Sequence, residues 1–148
     1  MITNKVENFK FPAKKSKKFV SESYVKSIVV YPTETFNLEV FDENYIYKKA
    51  IKEEKEQMPC HFLIKNSGEI VQLIDLENIG DVKVYLDQDS WYICIVGGLN
   101  SLGKKEANYN EKQIESLNFL IKELEKRGGP KFKRLLWGDS LIAMRLDK

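Results

Sequence analysis

The sequence predicts an α/β fold, a single mixed β-sheet flanked by helices. Three observations carry that expectation. Ser27–Tyr31 and Trp91–Val96 are short, strand-sized apolar runs. His61–Ile74 has the pattern of a β-hairpin, and Asp42–Glu56 and the stretch after Asn110 repeat apolar residues at helical spacing. The chain has 148 residues, 43% hydrophobic and 31% charged, the composition of one globular domain rather than a disordered or collagen-like one. No apolar run approaches the ~18 residues of a membrane-spanning helix.

The first 27 residues hold seven Lys against two Glu, whereas the rest of the chain is slightly acidic. They are read as a basic N-terminal arm preceding a domain at 28–148. Lys10, Lys14, Lys15, Lys17 and Lys18 are interleaved with Phe9, Phe11 and Phe19 and suit an acidic partner. Nucleic acid is the weaker choice of partner, because Lys without Arg and without a reading module is poor support for it. A solvated terminus is the plainer reading. Met1–Lys15 lacks the apolar stretch and cleavage site of a secretory leader, so a cytoplasmic location is expected. The two cysteines make no disulfide framework and are expected to be reduced.

Each element follows from local chemistry. β-Branched residues cluster at Ser27–Tyr31 and Pro32 stops the run. In Asp42–Glu56, Phe41, Tyr45, Ile46, Ala50 and Ile51 can share one broad face, and Pro59 lies beyond the end. Asn66-Ser67-Gly68 turns His61–Lys65 back into Glu69–Ile74. Asp75–Ser90 reads as a surface loop, followed by a buried strand at Trp91–Val96 that ends at Gly97-Gly98. Asn110 and Gln113 are spaced as a capping box, Ile114, Leu117, Leu120, Ile121 and Leu124 make the buried stripe, and Gly128-Gly129-Pro130 closes the helix. A last short strand is expected at Phe132–Trp137.

The run CHFLIKNSGEIVQLI from Cys60 to Ile74, then Ile79-Gly80, then SWYICIVGG from Ser90 to Gly98, resembles the type 2 N-acetylmuramoyl-L-alanine amidases. Within that family it is most similar to the small phage lysozymes of amidase type, kin to the peptidoglycan recognition proteins. The resemblance covers about Ile28 to Trp137 and implies their α/β fold. It also implies hydrolysis of the muramoyl–alanine bond by a Zn²⁺ on three protein ligands, with an open position for water.

The matching positions depart from that chemistry. The family's first ligand His falls on Tyr31, or on Val30 with a one-residue shift. The second falls near Leu136–Asp139, where Asp139 is the candidate, and a third lies near Asp147. The chain has one His in all, His61. Zinc is therefore expected to be absent, and Tyr31, His61 and Asp139 are left as remnant catalytic candidates. Cys60 and His61 are neighbours on an expected strand and should point to opposite faces. His61, beside the family's substrate groove, is a candidate for ligand contact, with a structural role the more frequent fate of a lone His. Trp91, Tyr92 and Trp137 are candidate aromatic contacts, and Val82 replaces a groove His.

Two functions are weighed first. One is a pseudoenzyme that binds a protein partner or a peptidoglycan fragment, in the host cytoplasm if phage-encoded. The other is an active amidase with an unusual site. A structural component of a phage particle is the third reading.

Overall fold

The computed structural model describes residues 2–11, 25, 27–80 and 90–127, together with the backbone of 133–136. Its main sheet contains β1 (Ile2–Asn4), β2 (Ser27–Pro32), β4 (Phe62–Ile64), β5 (Ile70–Gln72), β6 (Ser90–Ile95) and β8 (Lys133–Leu136). The order is β1-β5-β4-β6-β2-β8, and only the β4–β5 hairpin pairs antiparallel. β3 (Thr35–Phe36) and β7 (Gly98–Leu99), unforeseen in the sequence, form a separate parallel pair. The helices are α1 (Glu43–Lys52) and α2 (Glu111–Arg127).

β6 lies inside the sheet and every one of its residues is buried. Alternation divides them between two cores. Trp91, Ile93 and Ile95 pack with Leu117, Leu120, Ile121 and Leu124 of α2, while Tyr92, Cys94 and Val96 pack with Ile46 and Ala50 of α1. Coverage of both faces is why this strand reads as a continuous apolar run.

α2 begins as its capping box predicts: the Gln113 backbone N–H donates to Asn110 Oδ1 at 2.9 Å, and the Asn110 N–H donates to Gln113 Oε1 at 3.0 Å. Gln113 Nε2 also donates to the Val96 carbonyl at 2.9 Å, which ties the helix start to the end of β6. α1 starts at its Asp42 cap, where Oδ1 accepts from Tyr45 N–H at 3.0 Å, but it ends four residues earlier than the expected Glu56. The reason is a left-handed residue: Glu54 has φ of 57°, and the Glu54 and Lys55 amides close back onto the Ile51 and Ala50 carbonyls.

The expected basic arm needs correction over residues 2–11. β1 pairs with β5, extending the sheet beyond the hairpin, and Phe9 and Phe11 are buried in the α1-side core against Tyr47. Burial of two aromatic rings outweighs the solvation of their Lys neighbours, of which Lys10 stays exposed. An ion-pair cluster around the buried Glu43 holds the segment in place. Glu43, 2% exposed, accepts from Lys5 at 2.5 Å and meets Lys65 at 3.2 Å, and Lys65 reaches Glu69 at 3.0 Å. Lys14, Lys15, Lys17 and Lys18 lie outside the described residues.

Candidate functional site

β2 and β6 run parallel with Tyr31 directly beside Cys94. Cys60 precedes β4 and enters the same α1-side core as Cys94, with Tyr31 packed at its margin. Tyr31 and the two thiols are close enough to influence one another electrostatically. Burial, reinforced by the two thiols, pushes the Tyr31 phenol well above its ordinary range. Burial likewise pushes the Cys94 thiol up, with Cys60 adding to the shift and Tyr31 and Lys49 opposing it. At neutral pH the phenol and the Cys94 thiol are therefore uncharged, the opposite of what a thiolate nucleophile or metal ligand requires. The Tyr31 ring stands edge-on to Tyr92, with centroids 6.4 Å apart.

His61 is fully buried and both ring nitrogens are engaged. Nε2–H donates to the Asn78 carbonyl at 2.7 Å, and Nδ1 accepts the Tyr92 backbone N–H at 3.1 Å. The second bond fixes the tautomer, because a nitrogen that accepts carries no proton. The ring also lies parallel to Tyr92, inclined by 8°. Burial lowers its pKa to about 4, with the Asn78 carbonyl pulling the other way. His61 joins β4, β6 and the loop after β5; it presents no lone pair to a metal or a substrate.

Two of the expected aromatic contacts also turn inward. Trp91 and Tyr92 are 0% and 2% exposed, and Trp91 Nε1–H donates to the Leu76 carbonyl at 2.9 Å. They occupy opposite faces of a strand covered on both sides, so neither forms an outer contact surface. Val82, Trp137, Asp139 and Asp147 lie outside the described residues. β8 ends with Leu136, beside Val30. Among the described residues, no three His, Cys, Asp or Glu side chains come together to hold a metal ion. No described helix is long and apolar enough to cross a membrane.

The meeting of Tyr31, Cys60 and Cys94 was not legible in the sequence, where Cys60 and Cys94 stand 34 positions apart. A strand pairing would have been the signal: aligning β2 with β6 puts Tyr31 beside Cys94.

The family described as N-acetylmuramoyl-L-alanine amidase matches residues 21–146. The chain belongs to this amidase family. Among curated relatives, the endolysin of Klebsiella phage KP32 is 35% identical over 66 residues, 44% of this chain and 43% of that endolysin. The aligned segment thus spans less than half of the relative's length. The amidase-like fold is shared more widely. The Ph2119 endolysin of a Thermus scotoductus bacteriophage superposes with a TM-score of 0.74 at 16% identity, covering 100% of both chains. The ectodomain complex of peptidoglycan recognition proteins LCa and LCx, solved with tracheal cytotoxin bound, gives 0.68 at 15% identity, with 92% of this chain and 83% of that one covered.

Proposed function

We propose that this amidase-family chain is a pseudoenzyme that works by binding, with a peptidoglycan fragment as its partner. The observation that carries the reading is the engagement of His61. The chain's one His holds two backbone groups through its two ring nitrogens, while the position matched to the family's first ligand carries Tyr31. A catalytic zinc of this family needs three protein ligands and an open position. The described residues do not fit that need: the position matched to the first ligand carries a neutral Tyr31 phenol, and no three His, Cys, Asp or Glu side chains among them come together. Without the cation, no group among the described residues is placed to lower the pKa of an attacking water or to polarise the amide carbonyl.

A peptidoglycan fragment is favoured as partner because a neighbour of the same fold, a complex of peptidoglycan recognition proteins, is described with tracheal cytotoxin bound. Binding and hydrolysis separate in one experiment. Full-length protein is titrated with purified muramoyl-peptide fragments in a calorimeter, and the mixture is then analysed for free stem peptide. Saturable heat with intact fragment supports the reading; progressive release of stem peptide overturns it.

A further inference from the structure

We draw no further inference here: the strongest candidate, the exposed apolar surface of Phe36, Leu38 and Val40 between β2 and α1, carries nothing because nothing in the structure shows what covers it.

Discussion

Tyr31 stands beside Cys94 across the β2–β6 pair and packs against the α1-side core that holds both Cys94 and Cys60. Three groups able to ionise share one enclosed place, and burial keeps the Tyr31 phenol and the Cys94 thiol protonated. Burial leaves these two groups unactivated.

Thiol reactivity follows from that. In native protein both cysteines should react with a disulfide reagent no faster than the protein opens, since the attacking species is the exposed thiolate. Tyr31→Ala should speed the reaction. Tyr31→Phe, which removes only the hydroxyl, should cost about 0.5–1.5 kcal/mol in urea denaturation.

His61 makes stability depend on pH. Its pKa is near 4 when folded and 6.5 in the reference state, so between these values the unfolded chain binds more protons and stability rises with pH. The contribution is complete above pH 6.5 and is lost as pH falls toward 4, amounting to about 3 kcal/mol. An NMR titration of the single imidazole should show no protonation from pH 8 to pH 5, and denaturation midpoints should fall over the lower part of that range.

Two glycines between the end of β6 and the start of β7 stand at positions that exclude a side chain. Gly97 has φ of 131° and Gly98 of 100°, and an added Cβ would lie 2.9 Å from Asn108 Oδ1 and 2.9 Å from Pro32 Cβ, respectively. Backbone strain and the clash act together, so Gly98→Ala should lose about 2–4 kcal/mol in thermal or urea unfolding. Gly103→Ala is the control: φ there is also positive, at 74°, but no atom lies within 4 Å, so only the smaller backbone cost remains.

Much of this was legible in the sequence. The hairpin, the capping box of α2 and the buried run of β6 announce themselves through local chemistry, because turn residues, caps and periodicity act over a few positions. The N-terminal segment does not. Its Lys residues dominate composition, yet Phe9 and Phe11 find a core that only tertiary folding creates, and Lys5 finds Glu43 38 positions away. His61 was legible as a lone His whose structural role was the commoner fate, but its two backbone partners come from other elements.

Glu43 tests the correction to that segment. Glu43→Ala leaves Lys5 and Lys65 without their shared carboxylate; both ammonium groups are partly exposed, 33% and 22%, so the loss should be about 1–3 kcal/mol. Hydrogen exchange should then accelerate first at the amides of β1. Uniform acceleration across the sheet would show that the ion pairs do not act locally.

Zinc stoichiometry tests the central claim most directly. Full-length protein purified without chelator is dialysed against micromolar zinc, and the metal retained after desalting is measured against protein concentration. The account predicts retention well below one ion per chain, unchanged by the Tyr31→Phe substitution. About one tightly held zinc per chain, accompanied by release of stem peptide from peptidoglycan, would contradict it.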